Sequence, residues 1–231
     1  MTRKLLVEAI GTFFLVLTVG LVVLGGGAGA LAPVAIGFVL MAMVYAGGHI
    51  SGAHYNPAVT VAVRLRRLAT NAELGGYWVA QLVAAVVAAL VVRALLPDGV
   101  EVVASDPETL DVVLAEFIFT FGLAWVVLNV ATAPGTKGNS FFGIAIGLTV
   151  TAGAYAVGPV SGAVFNPAVA LGASLLGILD ADVAMVMVVT QLVAGASAAL
   201  LFDALDIGAD KPTTATPAEQ AGLRSAAEPG A

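Results

Sequence analysis

Cysteine is absent from this 231-residue chain, which excludes a disulfide framework, a thiolate nucleophile and any Cys-based metal site. Histidine is nearly absent: His49 and His54 are the only two, too few to suggest a metal centre. Charge is scarce as well. Asp, Glu, Lys and Arg make up 10% of the residues, where an ordinary soluble domain carries about 25%. A chain so poor in charge cannot cover a water-facing surface, so a soluble globular enzyme is excluded. Nine basic and fifteen acidic residues give a net charge of −6, which does not describe a nucleic-acid partner. Phosphate-cradling Gly-rich loops, nucleophile triads and metal-ligand spacings are missing too, and no cofactor is expected.

What the chain does have is apolar material, 60% of its residues, with a mean hydropathy of +1.02. Disorder over most of the length is excluded by the same arithmetic. The class that remains is an all-α, multi-pass membrane protein, and six spans of about 20 residues each use up the length. Residues 5–24 form the first apolar run, behind Arg3 and Lys4. A cleaved signal peptide is the alternative reading, but the run is about twice the usual 7–15-residue signal core and contains Glu8. Further spans read as 33–48, 77–96, 112–133, 141–157 and 183–205. Two shorter apolar stretches, 57–63 and 167–179, reach only about halfway through a 30 Å core at 1.5 Å per residue. Residues from 206 on are rich in Pro, Thr, Ala and Glu and read as a disordered tail.

The basic residues set the topology. Arg3, Lys4, Arg64, Arg66, Arg67, Lys137, Lys211 and Arg224 share one side if both termini are cytoplasmic, and Arg93 alone falls at the other end. The opposite loop carries Asp98, Glu101, Asp106, Glu108 and Asp111 with no basic residue. This is the positive-inside pattern.

The chain also matches itself. SGAHYNPAVT at 51–60 corresponds to SGAVFNPAVA at 161–170, and VAQLVAAVVAAL at 79–90 to VTQLVAGASAAL at 189–200. Apolar identities recur by chance; the polar ones, Asn56 with Asn166 and Gln81 with Gln191 at a constant offset of 110, do not. EAIGTF at 8–13 meets EFIFTF at 116–121 at an offset of 108. With three spans per half, the second half enters the membrane from the opposite face, an inverted-topology repeat. The halves are about 1–96 and 110–205 of a single unit, 1–205.

Each Asn-Pro-Ala triplet, Asn56–Pro57–Ala58 and Asn166–Pro167–Ala168, follows a Ser-Gly-Ala turn and precedes a half-length apolar stretch. Asn is a favoured N-cap, and Pro suits the first helical position, where no amide donor is needed. Each triplet therefore starts a half-helix, and the inverted repeat brings the two N-termini together near the bilayer midplane. Each N-terminus carries about +0.5 charge. A cation meets a barrier there, while a neutral solute accepts hydrogen bonds from the two asparagine amides. This architecture suits passive conduction of small uncharged molecules.

On these motifs the chain resembles the aquaporin/aquaglyceroporin (major intrinsic protein) family, over about residues 3–205. The resemblance implies a right-handed bundle of six transmembrane helices plus two re-entrant half-helices, with one pore per subunit. It also implies a homotetramer in the plasma membrane, both termini cytoplasmic, passing water and small neutral solutes. Most family members carry Arg directly after the second Asn-Pro-Ala; here the residue is Val169, followed by Ala170. Carried over by distance from the motifs, the other constriction positions are Ile36, Ala154 and Ala163, where a one-residue slip would put Tyr155 in place of Ala154. Small aliphatic side chains leave a wider opening, and loss of a guanidinium removes five donors and a fixed charge. The expectation is a permissive, apolar filter. The alternatives are a water-selective pore refilled by neighbouring aromatics, an ion-coupled transporter, and a junction protein with little conductance.

Glu8 and Glu116 lie inside spans, where an ionisable group faces the bundle interior or water. The resemblance gives them the task of holding the half-helix loops, with a proton relay as the other reading. Gln81 and Gln191 read as interhelical hydrogen-bonding partners. His49 resembles a pore-lining family position, with a satisfied structural histidine as the alternative; pore contact is less favoured for His54. Gly143 and Gly147 make a small-xxx-small packing face.

Overall fold

Long runs that are apolar on every side satisfy their backbone polar groups internally only as helices when lipid surrounds them. The computed structural model describes residues 1–96, 108–205 and 207, and the regular structure among them is helical. Four helices form the first half: α1 (Thr2–Leu24), α2 (Ala32–Ser51), α3 (Pro57–Leu65) and α4 (Asn71–Leu95). The second half repeats the pattern with α5 (Thr109–Thr132), α6 (Phe142–Ser161), α7 (Pro167–Leu175) and α8 (Ala181–Ala204). Six of the eight are long and apolar enough to cross a membrane; α3 and α7, with nine residues each, are not.

Several helix boundaries differ from the sequence expectation. Helix α4 begins at Asn71 rather than 77, because Thr70 and Glu73 close a capping box: Glu73 N–H donates to Thr70 Oγ1 at 3.1 Å, and Thr70 N–H to Glu73 Oε2 at 2.8 Å. Such a box satisfies two orphan donors at once, so the helix extends past its apolar part. Helix α7 stops at Leu175 instead of 179, where Gly177 takes a left-handed conformation with φ of 80°. Helices α2 and α6 run on to Ser51 and Ser161, each closed by a left-handed glycine, Gly52 (φ 89°) and Gly162 (φ 83°). The acidic loop positions Asp98, Glu101 and Asp106, and the tail with Lys211 and Arg224, lie outside the described residues.

The inverted repeat is visible in the packing. Helix α1 lies along α4 and α5 along α8, and α2 meets α6 across the two halves. The half-helices exchange partners, α3 packing chiefly on α8 and α7 on α4. At the α2–α6 crossing the backbones touch. A Cβ on Gly37 would fall 2.6 Å from Gly147 O, and one on Gly147 would fall 2.5 Å from Gly37 O. These two glycines are 110 positions apart, so the crossing joins equivalent points of the two repeats. At the chain ends of α3 and α8, Arg66 pairs with Asp203 at 2.5 Å and stacks over the Phe202 ring at 4.4 Å.

Candidate functional site

Between α2 and α3, and again between α6 and α7, the chain must turn back inside the bundle without leaving polar backbone unpaired. Two buried carboxylates solve this. Glu8 Oε1 accepts from Ser51 Oγ (2.6 Å) and His54 N–H (3.0 Å), and its Oε2 from Tyr55 N–H (2.7 Å) and Gln81 Nε2 (2.9 Å). Glu116 repeats the arrangement with Ser161 Oγ (2.8 Å), Val164 N–H (2.9 Å), Phe165 N–H (2.7 Å) and Gln191 Nε2 (2.7 Å). Each carboxylate thus receives four donors, and both are fully buried. The loop amides are drawn to one side, and no described residue donates to the carbonyls of 52–54 or 162–164. Holding the loops this way puts Ala53, Tyr55, Ala163 and Phe165 at φ of 48–53°, a left-handed region that costs a non-glycine residue about 1–2 kcal/mol.

The asparagines end these loops. Asn56 Oδ1 accepts from Ala58 N–H at 2.8 Å, and Asn166 Oδ1 from Ala168 N–H at 2.9 Å, the N-cap bonds anticipated for both. The amide nitrogens do something that single-segment reasoning does not show. Asn56 Nδ2 donates to Phe165 O (2.9 Å), and Asn166 Nδ2 to Tyr55 O (2.8 Å). The two re-entrant segments are therefore cross-linked reciprocally, half to half. An amide carries two N–H groups, so each asparagine retains one without a protein acceptor among the described residues.

Beside this junction lies a cavity of about 260 Å³. Ile36, Ala154, Ala163 and Val169 all stand on its wall together with Asn56 and Asn166; residues distant in sequence meet at one channel-like space. It extends past them to Val19 and Val23 near the end of α1. Tyr155 is directed elsewhere: it is half exposed, and its hydroxyl donates to Ala30 O at 2.9 Å. A second cavity, of about 780 Å³, opens on the other side and is more polar in character, with His49, Ser51, Lys137 and Asn139 on its wall. His49 is exposed there.

His54 is the residue that sequence reasoning undervalued. It is 8% exposed and borders both cavities, along with Val127 and Ile146. Its Nδ1 lies 3.2 Å from Thr60 Oγ1. The Thr60 hydroxyl donates to Asn56 O at 2.9 Å, so the proton between the pair belongs to Nδ1. That leaves Nε2 with a lone pair and no protein donor among the described residues. Its place two positions before Asn56 was the only sequence signal.

A sequence profile of the major intrinsic protein family matches residues 1–202, and again 128–226. The chain belongs to the major intrinsic protein family. Among its relatives, aquaporin NIP1-1 of Oryza sativa subsp. japonica is 37% identical over 192 residues, covering 76% of this chain and 64% of that protein. Nodulin-26 of Glycine max is 37% identical over 179 residues, covering 74% of this chain and 66% of that protein. The chain thus spans just under two thirds of the length of these relatives. The structure of the aquaglyceroporin from Plasmodium falciparum matches with a TM-score of 0.73 at 21% identity, over 87% of this chain and 95% of that one; this likeness concerns the fold.

Proposed function

We propose that the chain is a passive channel for water and small uncharged solutes, permissive because its outer constriction is wide and apolar. The observation that carries this reading is the 260 Å³ cavity on which Ile36, Ala154, Ala163 and Val169 stand beside the asparagine pair. Two half-helix N-termini and two free amide N–H groups face one point, which raises the energy of a cation and orients a neutral hydrogen-bond acceptor. The four constriction side chains offer no side-chain donor, acceptor or charge. A solute is therefore limited there by width and by loss of hydration, not by a matching polar group.

Two features weigh against the alternatives. Tyr155 points away, and the aromatic residues on the cavity wall, Tyr55 and Phe165, are 1% exposed, so neither fills the opening. Glu8 and Glu116 have all their acceptor capacity engaged by four donors each, which leaves no acidic group at the re-entrant loops to couple flux to Na⁺ or H⁺. They act as anchors of the loops, with Gln81 and Gln191 as their tethers, and His49 lines the inner mouth. The natural setting is the plasma membrane, with both termini cytoplasmic and four copies assembled.

The test is a stopped-flow panel in proteoliposomes, with water, glycerol and urea run on the wild type and on Val169→Arg. The wild type is expected to pass all three, and the variant to keep water and lose most glycerol flux. Water conduction with glycerol and urea excluded by the wild type would overturn the permissive reading.

A further inference from the structure

We propose that the outer re-entrant segment, residues 161–166, is the yielding wall of the pore, and that Met187 on α8 sets how wide a solute it admits. This rests on the reading of the chain as a channel for small neutral solutes.

The two re-entrant segments carry the same strain, with paired left-handed residues at nearly equal φ, and the same four-donor carboxylate. They differ in what else holds them. Around the first segment, Tyr77 OH donates to Ser51 O at 2.7 Å, Trp78 Nε1 to Pro57 O at 3.2 Å and Tyr55 OH to Met43 O at 2.9 Å. Thr60 Oγ1 bonds Asn56 O and receives Gln81 Nε2 at 3.2 Å, and His54 Nδ1 joins it. At the offset of 110 five of these six polar residues are apolar, Gln81 alone keeping its counterpart in Gln191: His54 corresponds to Val164, Tyr55 to Phe165, Thr60 to Ala170, Tyr77 to Met187 and Trp78 to Val188.

Beyond its carboxylate and the reciprocal asparagine bonds, the outer segment is consequently backed by contact alone. Met187 is fully buried against Val112, Ala173 and Leu179, and among the described residues no side chain donates to the Ser161 carbonyl, although Ser161 is 1% exposed. A hydrogen bond fixes direction and distance, whereas apolar packing is non-directional and tolerates sliding. Two of the three filter positions taken from the second repeat, Ala163 and Val169, lie on this segment or on the first turn behind it. Local opening is easiest where few hydrogen bonds must be given up. A solute wider than the resting constriction is therefore admitted by displacement of the outer wall, while the inner wall stays in place.

Amide hydrogen exchange of the wild-type protein in lipid nanodiscs, read by mass spectrometry, tests this without any solute. Residues 162–165 are expected to exchange about tenfold faster than residues 52–55; equal or slower exchange overturns the proposal. Tyr77→Phe, which removes one tie and adds no volume, is expected to speed exchange at 52–55. No change there overturns the role given to the tie. Met187→Tyr returns a hydroxyl to the Ser161 carbonyl. It is expected to slow exchange at 162–165 and to lower the glycerol-to-water flux ratio severalfold with water flux retained. A lower ratio with unchanged exchange would mean that the ring merely fills space, and would overturn the proposal. A wild type that passes only water would sink the permissive reading instead, and the exchange comparison would still decide which wall yields.

Discussion

At the scale of single residues, the two glutamates show how one side chain can hold a segment that has no secondary structure of its own. Both oxygens of Glu116 accept two donors each. A glutamine at that position, in either orientation, sets an NH₂ against two N–H or O–H donors. Hydrogen bonds to a charged group contribute about 1.5–3 kcal/mol each, so Glu116→Gln is expected to lower stability by about 3 kcal/mol or more, read as a fall in the thermal midpoint in detergent. Lys4→Ala removes a partly exposed pair with Glu73 at 2.6 Å and is expected to cost less than about 1 kcal/mol. That Glu8 and Glu116 face inward was legible in the sequence, because an ionisable group within a span avoids lipid. Which amides they hold was not, since Val164 and Phe165 lie 48 and 49 positions from Glu116. His54 was undervalued for the same reason: its bond to Thr60 is local, but its exposure to two cavities depends on α5 and α6.

At the scale of elements, local rules fixed how the half-helices start and left open how the helices meet. Asn before Pro announced both N-caps. The capping box of α4 was equally present as Thr70 and Glu73, and the apolar run hid it because hydropathy does not register caps. Thr70→Ala is expected to destabilise by about 1 kcal/mol, measured by the same thermal midpoint. The α2–α6 crossing is stricter. Gly143 meets the Tyr45 ring, which can turn aside, whereas a Cβ on Gly147 meets the Gly37 backbone at 2.5 Å and Met41 Cβ at 2.9 Å. Gly147→Val is expected to separate the two halves, seen as loss of a monodisperse peak in size-exclusion chromatography. Gly122→Ala, with nothing within 4 Å, is expected to leave the profile unchanged.

At the scale of the whole molecule, orientation across the bilayer is the property on which inner and outer mouths depend. The chain's lack of cysteine makes it directly measurable, since a single introduced thiol has no background. Gly27 and Gly135 lie at opposite ends of the helices and have open space around them. In intact cells an impermeant maleimide is expected to label Gly27→Cys and not Gly135→Cys; the opposite pattern reverses the topology. The two cavities then acquire distinct surroundings, a basic inner mouth bearing Lys137 and His49 and an aliphatic outer one reaching Val23.

The sequence by itself determined that the chain spans a membrane, that its halves repeat in opposite senses, and that two half-helices begin at Asn56 and Asn166. Those properties follow from composition, periodicity and capping, which act over a few residues. Only the tertiary structure decided that each asparagine bonds the other half's backbone, that Ala154 rather than Tyr155 faces the cavity, and that the two re-entrant segments are held unequally. These depend on distances between elements, and in an apolar bundle such distances are fixed by where the few polar groups find partners and where glycine lets backbones touch. The scarcity of charge reported only that the chain lives in lipid; the placement of the scarce polar groups gives the segment at 51–56 side-chain ties that the one at 161–166 lacks.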